Sequence, residues 1–106
     1  MTSAGRVPVA CDLDALSPEE RAREAELLAE LKAALEEPEE TEKGFRFVVP
    51  QDPALVGRLG ELLALERLCC PFLSFDLAVP AGRGAMTLHI QGDAAARTFI
   101  RSVFFR

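Results

Sequence analysis

Six of the seven prolines in this chain of 106 residues divide it into short segments, and their spacing is the strongest constraint on the fold. Proline lacks a backbone N–H and has a fixed φ, so it suits the first turn of a helix but ends a helix or an inner strand elsewhere. The segments between prolines are therefore predicted to be single helices and strands. The six are Pro18 and Pro53 at predicted helix starts, Pro38 and Pro71 at predicted helix ends, and Pro50 and Pro80 beside predicted strands.

The first helix is predicted from its capping residues and its apolar stripe. Ser17 is the N-cap, Pro18 occupies the first helical position, and Glu20 completes a capping box. One face then carries leucines, although the same stripe includes Glu24 one turn before them. The pattern indicates an amphipathic helix that ends before Pro38. The leucines are Leu27, Leu28, Leu31 and Leu35.

The second helix is predicted to begin in the same way, with Asp52 as the N-cap and Pro53 at the first position. It should continue to about Cys70, because Pro71 cannot extend it. Gly57 and Gly60 are poor helix residues, and their presence suggests close contact with another backbone. The apolar positions of this helix are Leu55, Leu59, Leu62, Leu63 and Leu65.

Alternation of apolar and other side chains predicts the strands. The clearest are residues 45–49, 72–79 and 86–90, and a short strand at 39–41 is expected to form a hairpin with the first of them. Gly44 lies in the turn of that hairpin, where glycine takes a positive φ at little cost. A last helix follows Gly92 and Asp93, with Phe99, Ile100, Val103 and Phe104 on its apolar face.

The order of these elements predicts an α+β fold: an antiparallel sheet of three to four strands with the helices packed on one face. Residues 1–16 are expected to form an extended N-terminal arm, and residues 17–106 a single α+β domain. The length of the chain and its 49% hydrophobic residues suit one compact core.

Charge and composition exclude several classes of function. The net charge of −5 argues against a nucleic-acid-binding protein, which needs a basic face. No apolar run is long enough for a membrane span, and the first residues do not resemble a signal peptide. The three cysteines are an odd number that fits no disulfide framework. We therefore predict a cytoplasmic protein with reduced thiols.

The adjacent residues Cys69 and Cys70 are the most unusual feature. Neighbouring side chains on a helix point about 100° apart, so packing seldom requires two cysteines in succession. At a helix end, however, the backbone unwinds and both sulfurs can face one centre, where soft metal ions favour thiolates. Cys11 would supply a third sulfur if the arm folds back to this point. The alternative is that the pair serves as small buried hydrophobic residues.

Glu66 precedes Cys70 by four residues and lies close to the apolar face of the predicted helix. A carboxyl group there should have a raised pKa unless a cation such as Arg58 or Arg67 pairs with it, and it could accept a proton from Cys70. The one histidine, His89, is predicted to point away from the core. It is the less favoured choice for a fourth ligand in a zinc site, because no zinc-finger spacing is present.

Several stretches resemble a family of small bacterial proteins of unassigned function. The stretches are Cys-Asp-Leu at 11–13, Gly-Phe-Arg-Phe at 44–47 and, above all, Glu-Arg-x-Cys-Cys-Pro-Phe at 66–72. Some members occur beside, or fused to, MerR-type regulators in mercury and heavy-metal resistance loci. The resemblance extends over most of residues 10–102. It implies a stand-alone protein with a thiol site for mercuric ion or a related soft ion at Cys11, Cys69 and Cys70.

Three functions remain open from the sequence. The first is binding of a soft heavy-metal ion, mercuric ion before zinc, by a protein that need not be an enzyme. The second is thiol-redox chemistry through a vicinal disulfide, although redox motifs usually have the form CxxC. The third is a non-catalytic interaction module that forms a homodimer through Phe99, Phe104 and Phe105.

Overall fold

The protein is described here by a computed structural model, which covers residues 12–104. The predictions for Cys11, for most of the N-terminal arm and for Phe105 lie outside the described residues. The elements, in chain order, are a short 3-10 helix at Leu13–Ala15, α1 at Pro18–Ala34, β1 at Glu39–Glu40, β2 at Gly44–Val49, α2 at Pro53–Cys69, β3 at Ser74–Ala78, β4 at Met86–Gln91 and α3 at Ala94–Phe104.

The caps predicted for the first two helices are confirmed. The Ser17 hydroxyl accepts a hydrogen bond from the Glu20 backbone at 3.1 Å, and the Ser17 backbone donates to the Glu20 carboxylate at 2.8 Å. The Asp52 carboxylate accepts from the backbone N–H of Ala54 at 3.0 Å. These bonds satisfy N–H groups that have no partner within the helix.

The α+β prediction is also confirmed, with four antiparallel strands in the order β1-β2-β4-β3. One face of the sheet is buried under the helices. It carries Phe45, Phe47 and Val49 of β2, and Met86, Leu88 and Ile90 of β4. These side chains share one core with leucines of α1 and α2 and with Ile100 of α3. The other face carries the polar residues, so the period of two in the strands fixes which face is covered.

Three glycine predictions are wrong. Gly44 does not adopt a positive φ but lies within β2, opposite Gln91. A Cβ atom there would collide with the carbonyl oxygen of Ile90, so close approach of the neighbouring strand explains this glycine. Gly57 and Gly60 approach no other backbone, because a Cβ atom at either position would meet nothing within 4 Å.

Two boundaries also differ from the prediction. Strand β3 begins at Ser74 instead of residue 72, because Leu73 donates a backbone hydrogen bond to the Cys70 carbonyl at 3.1 Å and residues 70–73 form a turn. The described end of the arm is not extended either. Ala15 donates to the Asp12 carbonyl at 3.1 Å, which closes the short 3-10 helix.

That end of the arm packs against the last turn of α2. The backbone N–H of Asp12 donates to the carbonyl of Cys69 at 2.7 Å, and Leu16 is buried against Cys69 and Cys70. The arm thus gives a partner to a carbonyl at the end of α2 that the helix itself leaves unpaired. Within residues 12–104, the helices are all too short or too polar to cross a bilayer.

Candidate thiol site

The end of α2 determines the directions of the two cysteine side chains. Cys69 is the last helical residue and Cys70 is the C-cap, with φ −121° and ψ 68°. The Cys70 N–H still donates to the Glu66 carbonyl at 2.7 Å, but its ψ is no longer helical. Pro71 enforces this change, since a residue before proline is pushed out of the helical region. Two consecutive side chains therefore come together, as predicted.

The two sulfur atoms lie 3.8 Å apart, and the sulfur of Cys70 lies 3.3 Å from Oε2 of Glu66. The Cys69 sulfur also lies 3.8 Å from the Glu66 carbonyl oxygen, to which its thiol donates weakly. One atom from each of the three residues falls within a 4.8 Å span, which is compact enough for one metal ion. Among the described residues, Glu66, Cys69 and Cys70 therefore form the group of side chains that could hold a metal ion.

Both cysteines are fully buried, and Leu16 lies against them together with the half-buried Phe72 and Leu73. Cys69 is a free thiol. Cys70 is disulfide-bonded in this structure, and at 3.8 Å from Cys69 it is not bonded to its neighbour. The prediction that the thiols are reduced is therefore wrong for Cys70 in this structure. Metal binding through both sulfurs therefore requires that the disulfide bond of Cys70 is first reduced.

Glu66 is in an environment that favours its protonated form. Burial, then a hydrogen bond with Glu24 and the charge of Glu24, raise the pKa of the Glu66 carboxyl to about 8. Oε1 of Glu66 is buried and accepts no hydrogen bond from the N–H or O–H groups of residues 12–104. A proton shared between the carboxyl groups of Glu24 and Glu66 would provide a hydrogen bond between them. At neutral pH the Glu66 carboxyl is therefore mostly neutral and cannot act as a proton acceptor until it has lost this proton.

The surroundings of Cys69 disfavour the thiolate form of its side chain. Burial, followed by the charges of Glu66 and Glu24, raises the pKa of the Cys69 thiol to about 11. The thiolate is the nucleophile and the metal ligand, so this environment disfavours spontaneous oxidation or alkylation. A cation bound at the sulfurs would lower the pKa of the Cys69 thiol, because its positive charge stabilises thiolates and carboxylates alike.

The sulfur separation suits shared coordination. Two thiolates at about 2.3 Å from a tetrahedral metal ion lie about 3.8 Å apart, whereas a linear ion requires about 4.6 Å. The observed 3.8 Å between Cys69 and Cys70 matches the first value. A linear mercuric ion would thus require the two side chains to separate by a modest rotation.

The other residues singled out from the sequence lie elsewhere. Arg58 pairs with Glu30 at 2.9 Å and not with Glu66. His89 lies on the sheet face opposite the core, where it pairs in register with Arg46 and Asp76, and it is not part of the thiol cluster.

Two residues of the site were not identified from the sequence. Glu24 was noted on the leucine stripe of α1, but the pattern alone does not show that it faces Glu66 across the helix pair. Leu16 looked like part of an extended arm, and only the fold places it over the sulfurs. A carboxyl group within an apolar stripe is the sequence signal that identifies Glu24.

The comparisons with known proteins add nothing to this picture: the chain matches no protein-family model, no curated protein and no solved structure at a significant level.

Proposed function

We propose that the reduced protein binds a soft heavy-metal ion, mercuric ion or a similar thiophilic cation, through Cys69 and Cys70. The protein would sequester the ion or pass it on, in metal resistance or trafficking, without catalysing a reaction on it. A cytoplasmic location is part of the proposal, because the cysteines must be reduced to ligate.

The observation that carries the proposal is the three-residue donor cluster of Glu66, Cys69 and Cys70 within 4.8 Å. Thiolates select soft ions over calcium or magnesium, which require oxygen ligands. The ligands come from one turn at the end of a helix and are already close together, so little rearrangement is needed before binding. Burial under Leu16 would protect a bound ion from competing small thiols.

The proposal includes Cys11 as the third sulfur. Cys11 itself lies outside the described residues, but it precedes Asp12 directly in the chain. The Asp12 N–H is bonded to the carbonyl of Cys69 at 2.7 Å, so the described part of the arm ends next to the thiol pair. A third thiolate from that position would allow three-coordinate binding.

Glu66 has a supporting role in this proposal. Its Oε2 lies 3.3 Å from the sulfur of Cys70, which is close enough for the carboxylate to remain beside a cation bound there. A carboxylate is a weaker ligand than a thiolate for a soft ion. We therefore expect Glu66 to adjust affinity and its pH dependence, and the sulfurs to determine whether the ion binds.

Thiol-redox chemistry is the second candidate, and one observation favours it. Cys70 is disulfide-bonded in the structure, and the free thiol of Cys69 lies 3.8 Å from its sulfur. Thiol–disulfide exchange requires a thiol next to a disulfide sulfur. The raised pKa of the Cys69 thiol, about 11, opposes this function because the attacking group must be a thiolate.

The test is a mercuric-ion titration of the fully reduced protein in a roughly hundredfold excess of a free monothiol, so that only a site with two or more sulfurs retains the ion. The thiolate charge-transfer absorption in the ultraviolet reports binding. Cys69→Ser and Cys70→Ser should each weaken retention by about a hundredfold or more, because the chelate is lost. Cys11→Ser should weaken it less.

Two comparisons distinguish the candidates. If both single variants at 69 and 70 retain the ion like the wild type, the metal proposal is wrong and the pair is structural. If the wild type does not retain the ion but catalyses disulfide exchange on a small disulfide, and Cys69→Ser does not, the redox function replaces it. The variant Leu68→Ala is the matched control, since this neighbouring side chain is exposed.

A further inference from the structure

A cavity of about 150 Å³ lies between the three helices and the buried face of the sheet. Its floor consists of fully buried side chains such as Phe47, Leu59 and Ile100. Its rim includes half-buried side chains from all three helices, such as Leu28, Leu63 and Phe99, so the cavity opens to the surface. The helices and strands thus leave unfilled space inside the core.

The size of this space indicates what it can hold. An apolar cavity of about 150 Å³ accommodates one benzene-sized molecule and otherwise remains dry. Apolar side chains make up the lining except for Glu24 and Glu66. A ligand with a hydrocarbon group of about six or seven carbons would therefore fill it, whereas a larger or more polar molecule would not.

The two carboxyl groups determine the other end of the ligand. Glu24 and Glu66 are half-buried at the rim, and neither forms an ion pair with any residue of the described chain. The nearest arginines in sequence are engaged elsewhere: Arg23 with Glu26 and Glu61, and Arg58 with Glu30. Oε1 of Glu66 also lacks a hydrogen-bond donor among the described residues. The rim therefore carries two carboxyl groups that share one proton and one negative charge, and an ammonium group can replace that proton between them.

We infer that this cavity binds a small apolar amine, with the hydrocarbon group in the floor and the ammonium group between Glu24 and Glu66. The ammonium group supplies several donors and a positive charge in place of the single shared proton, and the hydrocarbon group supplies the contacts that the empty floor lacks. The sulfurs of Cys69 and Cys70 do not line the cavity, so such a ligand meets the carboxyl groups instead. The inference does not depend on metal binding.

The test uses three ligands of equal ring size with the reduced full-length chain: benzylamine, toluene and benzoate. Binding is followed by chemical-shift changes in the NMR spectrum of the protein. Benzylamine should bind about tenfold or more tightly than toluene, because it adds a charge-assisted hydrogen bond, and benzoate should not bind. Equal affinity for benzylamine and toluene, or no binding of either, overturns the inference.

Matched variants locate the ligand. Glu24→Gln should lower benzylamine affinity by about tenfold and leave toluene affinity unchanged, since it removes the charge and keeps the shape. Glu36→Gln, at an exposed position after α1, should change neither. An equal loss in both variants means that surface charge alone attracts the amine, and overturns the inference. Leu63→Phe should abolish binding of both ligands, and retained binding in a folded Leu63→Phe protein also contradicts it.

Discussion

The sulfur of Cys70 lies 3.3 Å from the Oε2 atom of Glu66, one helical turn earlier on α2. The contact joins the adjacent cysteines to a half-buried carboxyl group, which lies beside the second carboxyl group of Glu24. Two acids and two sulfurs thus lie in one poorly solvated region, and neither acid forms an ion pair among residues 12–104. This arrangement raises the pKa values of the Glu66 carboxyl and the Cys69 thiol, and a bound positive charge would stabilise their ionised forms.

Stability should fall as pH rises, and Glu66 should be the cause. The pKa of its carboxyl is raised from 4.5 to about 8 by folding, so its contribution is fully present below pH 4.5 and is lost as pH rises through about 8. Urea unfolding at several pH values should show a decrease of about 1 to 2 kcal/mol over this range. Glu66→Gln should remove most of the slope, and Glu36→Gln should not. A wild type with no slope between these values contradicts the assignment.

Cys69 should react slowly with alkylating reagents. Because the pKa of its thiol is raised from 9.0 to about 11, the native protein should contain roughly a hundredfold less thiolate below pH 9 than an ordinary thiol does. Iodoacetamide labelling of native and urea-unfolded protein, with the modified residue identified by mass spectrometry, measures this. Glu66→Gln should speed labelling above pH 8, because it removes a neighbouring negative charge. Labelling of Cys69 at the rate of the unfolded chain would show that the thiol is not protected.

Leu16 should protect the thiol pair. Its side chain is 4% exposed and packs against both cysteines. Leu16→Ala should destabilise the protein by about 2 to 5 kcal/mol and speed labelling of Cys69, because the site opens to water. Leu68→Ala is the control, since Leu68 precedes Cys69 on α2 and its side chain is 49% exposed. Equal effects of the two substitutions would show that Leu16 has no special role.

The glycines should respond in opposite directions to the same substitution. Gly57→Ala and Gly60→Ala should each stabilise the protein by up to about 1 kcal/mol, since alanine favours a helix and the added Cβ meets nothing. Gly44→Ala should destabilise it markedly, because the Cβ collides with the carbonyl of Ile90 and forces β2 away from β4. Thermal unfolding of the three variants measures this. A stabilised Gly44→Ala protein would contradict the register of these strands.

Local chemistry explains which features of the fold were predictable. Ser17 and Asp52 cap their helices by contacts within three residues, and Pro71 ends α2 through its own ring, so the sequence contains the whole cause. Gly44 was misinterpreted because its reason is the neighbouring strand, whose Ile90 lies 46 positions away in the chain. Gly57 and Gly60 were misinterpreted because no contact requires them, which a helix pattern cannot show.

The candidate site also contains residues that the sequence identifies and residues that only the fold brings to it. Glu66, Cys69 and Cys70 are close in sequence, and the end of one helix brings them together. Glu24 and Leu16 join them only through packing of α1 and of the arm, and both were missed as members of the site. The expectation that Glu66 accepts a proton also changes, because Glu24 helps to keep its carboxyl protonated at neutral pH. That effect depends on distance between two helices and not on sequence spacing.

The most direct test of the central claim is X-ray absorption at the mercury edge on a one-to-one complex with the reduced protein. The account predicts two or three sulfur neighbours in the wild type, and the loss of at least one in both Cys69→Ser and Cys70→Ser. It also predicts an unchanged spectrum in Leu68→Ala. A wild-type complex with fewer than two sulfur neighbours, or the same sulfur shell in both serine variants, would show that the adjacent cysteines are not the metal site.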